Sequence, residues 1–183
     1  MALPDNVEIT QGTAIVFGEA GATGVTHTLG LDALANGVAR MSAYADLGAD
    51  FADEYLVFFR VETGATAPTA GNTAECYLVS SHETSNFAGF VTGSDGAYPP
   101  SADTGASVDQ AIRQLGPAVA VYVATNDATK VQRQAPVIWR PRGRYVCAVV
   151  DNNLGQAFRD ETTSNADNDS RVILVPRRVR VTE

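Results

Sequence analysis

Histidine and cysteine are scarce in this chain: two of each among 183 residues. A Ser-His-acid relay would have to draw on His27 or His82. No GxSxG nucleophile elbow is present. Ser80-Ser81-His82-Glu83 sets the right residue types side by side, but consecutive residues of an extended chain point apart. His82 is therefore read as a surface loop residue and no catalytic residue is expected. A zinc site needs three or four Cys, His or carboxylate ligands at local spacing, and the four Cys and His here are scattered. Cys76 and Cys147 lie in the apolar runs ECYLV and YVCAVV and read as buried thiols. Spacing alone leaves a cross-sheet disulfide between them open. No run approaches the 18 apolar residues of a spanning helix, so no membrane partner is expected. MALPDNVEITQG has neither the charged start nor the apolar centre of a secretion signal, and none is expected.

Other motifs are present only in part. Gly18–Gly24 (GEAGATG) resembles a phosphate loop but lacks the Gly-Lys-Ser/Thr ending and a following helix, so it reads as a hairpin turn. Asp167-Asn168-Asp169 offers oxygens to calcium without the remainder of an EF-hand loop, and reads as solvated. Asp53-Glu54 would serve glycoside hydrolysis only if it faced another acid across a cleft. Asn168-Asp169-Ser170 matches a glycosylation sequon, which carries no meaning without secretion. No cofactor motif appears, and no cofactor or metal is expected.

Lysine is almost absent too: twelve of the thirteen cations are arginine. Arginine suits planar, dry contacts better than lysine does. The charge is uneven along the chain. Residues 1–112 set two cations against fourteen acids, a balance of −12; residues 113–183 set eleven cations against seven acids, a balance of +4. Such a split lets a basic face of one copy meet an acidic face of another. A sequence pI near 4.7 argues against a general nucleic-acid binder.

What the sequence has is strands. Apolar residues make up 45% and charged residues 19%, an ordinary globular balance. The length suits one domain over 1–183, with 1–36 read as an arm plus the first strands. Strand-type runs occur at Val7–Phe17, Val25–Leu31, Ala39–Leu47, Glu54–Glu62, Ala74–Ser80, Val119–Thr125, Ala135–Trp139, Tyr145–Val150 and Val172–Val175. Gly, Asn, Asp and Pro clusters divide them, the pattern of a sandwich or barrel. Ser107–Leu115 is the best helical stretch, with Ser107 as N-cap, Gln110 as its capping-box partner and Gly116-Pro117 as the stop; an edge strand over Ala111–Leu115 is the alternative. Ser81–Gly105 and Asp160–Ser170 read as long loops.

In RGRYVCAVVDNNLGQAF (142–158), both faces of Tyr145–Val150 are apolar or small, so that strand is expected to be buried on both sides. Asp151-Asn152-Asn153 then favours a turn, with GQAF as a short returning strand. Each feature has a structural explanation, and the stretch is read as a corner of the scaffold. Arg140, Arg142 and Arg144 alternate and would share one face of an extended chain, as would Arg178 and Arg180. These five are the candidate partner-contact residues; the competing reading is a guarded sheet edge.

The ending WRPRGRYVCAVVDNNLGQAF, its polar loop and SRVILVPRRVRVTE resemble a group of small tailed-phage structural proteins. DLGADFADEYLVFFRVETGATAPTAGNTAECYLVSS, GSDGAYP and AIRQLGPAVAV follow the same pattern, so the resemblance covers most of 37–183. It implies an antiparallel, jelly-roll-like β-sandwich in the virion. The role expected from it is a head decoration or cement protein, a homotrimer on the capsid surface that binds the major capsid protein, made in the bacterial host cytoplasm. It implies no catalytic residue. The alternatives are a tail, neck or fibre component, and a carbohydrate-binding module using Phe87, Phe90 and Tyr98.

Overall fold

The computed structural model describes residues 6–49, 51–100, 107–160 and 170–182. It contains thirteen strands and one short helix among them. In chain order these are β1 (Asn6–Gln11), β2 (Ile15–Gly18), β3 (His27–Thr28), β4 (Val38–Met41), β5 (Ala45–Asp46), β6 (Glu54–Glu62), β7 (Thr73–Ser81), β8 (Gly96–Tyr98), α1 (Val108–Ile112), β9 (Ala120–Val123), β10 (Val131–Arg133), β11 (Val137–Trp139), β12 (Tyr145–Asn153) and β13 (Arg171–Thr182).

The strands form two sheets. The first runs β10–β6–β13–β2–β3, with β11 also on β6 and β1 also on β13. The second runs β8–β4–β12–β7–β9, with β5 also on β12. The chain crosses from sheet to sheet repeatedly. Its last two long strands then close the centre of each: β12 between β4 and β7, β13 between β2 and β6. That insertion of late strands between early ones is the double Greek key of a jelly roll. All pairs are antiparallel except β2 with β3. The expected fold class, an all-β antiparallel sandwich with at most one short helix, is the one observed.

Alternation explains the core. In β6, Tyr55, Val57, Phe59 and Val61 are buried while Glu54, Leu56, Phe58 and Arg60 are half-exposed. The buried set meets Ala74, Cys76, Leu78, Val146, Ala148, Val150, Val172 and Leu174 between the sheets. The other face of the second sheet is buried as well. There Tyr77, Val79, Cys147, Val149, Ala39 and Met41 pack under Phe87, Val91, Tyr98 and Ala111. So β12 is indeed buried on both sides, because the chain between β7 and β9 folds back over its own sheet. The long loop beginning at Ser81 is this cover.

Several elements differ from the sequence expectation. The Val7–Phe17 run splits around Gly12, and Ala39–Leu47 splits at Ser42, whose N–H and hydroxyl take over the ladder bonds to Ala148 (2.8 and 2.9 Å). Only His27–Thr28 of the Val25–Leu31 run is strand. Gly18–Gly24 is not a hairpin turn: left-handed Gly21 (φ 84°) and Gly24 (φ 78°) reverse the chain twice, and β3 leaves parallel to β2. β12 continues through Asn153, so Asp151-Asn152-Asn153 is strand and the turn follows at 154–156. GQAF forms no strand beyond a bridge between Phe158 and Thr63. The helix matches its expected cap: Gln110 N–H donates to Ser107 Oγ and Ser107 N–H donates to Gln110 Oε1 (3.4 and 3.2 Å). The helix stops earlier than expected, at Ile112 with Arg113 as C-cap, and Gly116 turns left-handed at φ 87° only after that.

Candidate functional site

The expected arginine row does not form. Residues 140–144 are a bend that carries the chain from β11 in the first sheet to β12 in the second. Gly143 permits the close packing of this bend on β7: a Cβ there would run into the Ser81 carbonyl. The three side chains therefore diverge. Arg140 reaches back to Glu54 (3.4 Å) with 76% of its side chain exposed. Arg142 is exposed, and its N–H donates to Ser80 Oγ (3.0 Å). Arg144 makes two 2.6 Å bonds to Asp46 and stacks 5.3 Å from the Tyr145 ring centre. Its guanidinium, with the Gly48 N–H, holds the Asp46 carboxyl below the usual carboxylate range. Alternation predicts a shared face only for a chain that stays extended, and here it does not.

Arg178 and Arg180 do lie on one strand, opposite Thr10 and Glu8. β6 begins at Glu54, opposite Arg177, so among the described residues β13 beyond that point pairs with β1 alone. Arg178 lines a hollow of about 260 Å³ with Gln11, Leu47, Tyr55 and Pro176. The Tyr55 hydroxyl accepts from the Ala52 N–H (3.3 Å), and burial pushes its pKa up.

The other sequence candidates resolve one by one. His27 is half-buried against Phe17, with ring centres 5.5 Å apart, and burial lowers its pKa. His82 is exposed in the loop after β7. Glu54 is held by Arg140 and Arg177 and faces no second acid in those contacts. Among the described residues no three His, Cys, Asp or Glu side chains stand together as a metal site. Asp167, Asn168 and Asp169, and with them most of the acidic loop, lie outside the described residues. Among those described, no helix is long and apolar enough to cross a membrane. Cys76 and Cys147 are free thiols on opposite faces of the second sheet, so that sheet itself keeps them apart. Burial pushes both pKa values up, that of Cys147 to about 12. Of the three loop aromatics, Phe87 and Tyr98 are buried in the cover and only Phe90 is exposed. The Tyr98 hydroxyl donates to Ala111 C=O (3.0 Å), which spends its polar end inside the protein. They form no stacking platform for a sugar.

The Asn-rich corner is scaffold. Asn152 is fully buried, and its amide donates to Leu34 C=O (2.7 Å) and Gln156 C=O (2.9 Å) while its Oδ1 accepts from Leu154 N–H (3.0 Å). A buried side chain so fully committed has no capacity left for a ligand.

Sequence reasoning missed two surface features. One is the outer face of the first sheet. Leu56, Phe58, Val16, Ile173 and Val175 are half-exposed there, Ile138 is 55% exposed, and none of them belongs to either buried cluster. Continuous apolar runs such as EYLVFFRVE were the available signal, since a strand apolar on both faces implies two coverings. The other is a groove of about 400 Å³ on the flank of the sandwich, between the free edge of β7 and the 139–142 bend. No protein-family model matches this chain, and neither a curated protein nor a solved structure matches it.

Proposed function

We propose that this protein is a non-enzymatic structural component of a virus particle, a cement or decoration protein that binds the major capsid shell in repeated copies and stabilises it. The observation that carries this reading is the unequal covering of the two sheets. The second sheet's outer face is roofed by residues of the chain itself, while the first sheet's outer face leaves Leu56, Phe58, Ile173, Val175 and Ile138 at the surface. A contiguous apolar patch rimmed by charge is the surface of a protein that meets another protein. Arg60 and Arg133, opposite each other in register, flank it at one end; Glu54, Arg140 and Arg177 flank it at the other. A rigid double-sheet scaffold repeated by symmetry turns modest contacts into high avidity. The resemblance of the sequence pattern to small tailed-phage structural proteins supports the same reading.

The work done is binding, and no bond is made or broken. Deleting the gene tests it. Particles should still assemble and should lose infectivity sooner on heating or osmotic shock. Cryo-EM of complete particles should place the protein on the head lattice. Deleted particles as durable as complete ones, or density on the tail alone, would reject the cement role.

A further inference from the structure

β7 has nine residues, but β9 pairs with only its first four, Thr73 to Cys76. The ladder on that side ends with the Val119 N–H donating to Cys76 C=O (2.8 Å). Local chemistry explains the stop. Pro117 has no N–H to offer, and Gly116 turns the chain left-handed just before it.

Backbone groups of an antiparallel strand point alternately to its two neighbours. On β7 the carbonyls of Asn72 and Cys76 point towards β9, so the even-numbered residues face that side. Leu78 and Ser80 follow the same phase. Their backbone N–H and C=O groups turn away from β12, towards the flank groove that Leu78, Val79 and Ser80 line. This is an open sheet edge of at least three residues, which folded proteins normally cover or blunt.

The walls of the groove are specific. Leu115, Pro117, Val119 and Trp139 supply apolar surface, and Arg140 and Arg142 stand at the rim. Arg140 is 76% exposed and its one bond to Glu54 is long, at 3.4 Å. Arg142 is exposed, and only its backbone is engaged, with Ser80. An edge with free donors and acceptors selects an extended backbone. The apolar wall takes alternate side chains of such a strand, and the two guanidiniums favour carboxylates between them.

We propose that this groove binds an extended acidic segment of a partner protein, added as a further strand along the free edge of β7. The inference rests on the groove alone and holds whether or not the protein belongs to a particle. The probes are fluorescein-labelled ten-residue peptides that alternate Val or Thr with Glu or Asp, read by fluorescence anisotropy against the full chain at low salt. A lysine-for-acid set and a set N-methylated on alternate backbone amides serve as controls. Acidic peptides should bind, and both control sets should bind at least tenfold more weakly. The double variant R140E/R142E, changed only at exposed positions, should unfold at the wild-type temperature and lose at least tenfold in affinity for the acidic peptides. In ¹⁵N spectra the Leu78 and Ser80 amides should shift and exchange more slowly with peptide bound. Absence of binding by every acidic peptide, equal binding of the N-methylated set, or unchanged Leu78 and Ser80 amides would overturn the proposal. So would sedimentation showing that a second copy of the chain fills the groove, because the occupant would then be the protein itself.

Discussion

The two outer faces of this sandwich are built from similarly apolar strands, yet the described residues roof only one. On the second sheet, Tyr77, Val79, Cys147 and Val149 lie beneath Phe87, Val91, Tyr98 and α1. The Arg40 guanidinium locks that roof by gripping Asp95 twice (3.1 and 2.7 Å), and the Gly30 N–H donates to the same carboxylate (2.9 Å). On the first sheet, the corresponding outward residues of β6 and β13 remain at the surface. Among the described residues, those between β7 and β9 cover one sheet, while the outward apolar residues of the other stay part-exposed. Apolar side chains serve stability where the chain covers them; on the proposed function, those left part-exposed serve contact.

The sharpest test of that contrast sits in neighbouring residues. Phe59 is 1% exposed in the core and Phe58 lies half-exposed on the bare face. Phe59→Ala should cost about 3–5 kcal/mol in urea denaturation, and Phe58→Ala about 1 kcal/mol or less. Equal losses would mean that the bare face is part of the fold's own core.

The roof gives the next test. Cys147 lies beneath it and Cys76 lies between the sheets. Local opening of a cover needs less free energy than global unfolding. Cys147 should therefore react with a thiol reagent at lower urea than Cys76, and Phe87→Ala should widen the gap. Simultaneous labelling would show that the roof and the sandwich open as one unit.

A third test is electrostatic. Asp151 is 4% exposed, stands opposite Glu75, and burial raises its pKa from 3.8 to about 6, with the Glu75 and Asp109 charges adding to the rise. Its carboxyl holds the proton more tightly folded than unfolded. The stability it contributes is complete below pH 3.8 and is lost as pH rises through about 6. Asp151→Asn should therefore gain on the wild type by on the order of 2 kcal/mol between pH 4 and pH 8. A pH-independent difference would place that carboxylate in water. The smallest effect belongs to the helix cap in the roof: Ser107→Ala should cost about 1 kcal/mol.

The long elements were legible because they satisfy their own pattern. β6 and β7 are nine-residue runs dense in β-branched, aromatic and apolar residues, and Ser107 with Gln110 marks the helix start. The missed elements answer to partners instead. β8 and β10 are three residues each and exist because β4 and β6 offer them an edge. Asp151 and Asn152 extend β12 against their turn propensity because β4 and β7 hold both sides of the ladder. The scattering of Arg140, Arg142 and Arg144 comes with the bend from β11 to β12, which packs Gly143 against Ser81 far away in sequence and is invisible to local spacing. The flank groove was hidden for the same reason: it exists only where β9 stops short of β7's end.

The bare face is the centre of this account, and one binding measurement addresses it. Purified wild-type protein and the variant F58E/I138E, altered only on that face, are each mixed with heads stripped of the protein and sedimented. The account predicts that the variant stays folded, with its unfolding midpoint close to the wild type's, and remains in the supernatant while the wild type pellets. A folded variant that pellets as fully as the wild type would contradict it.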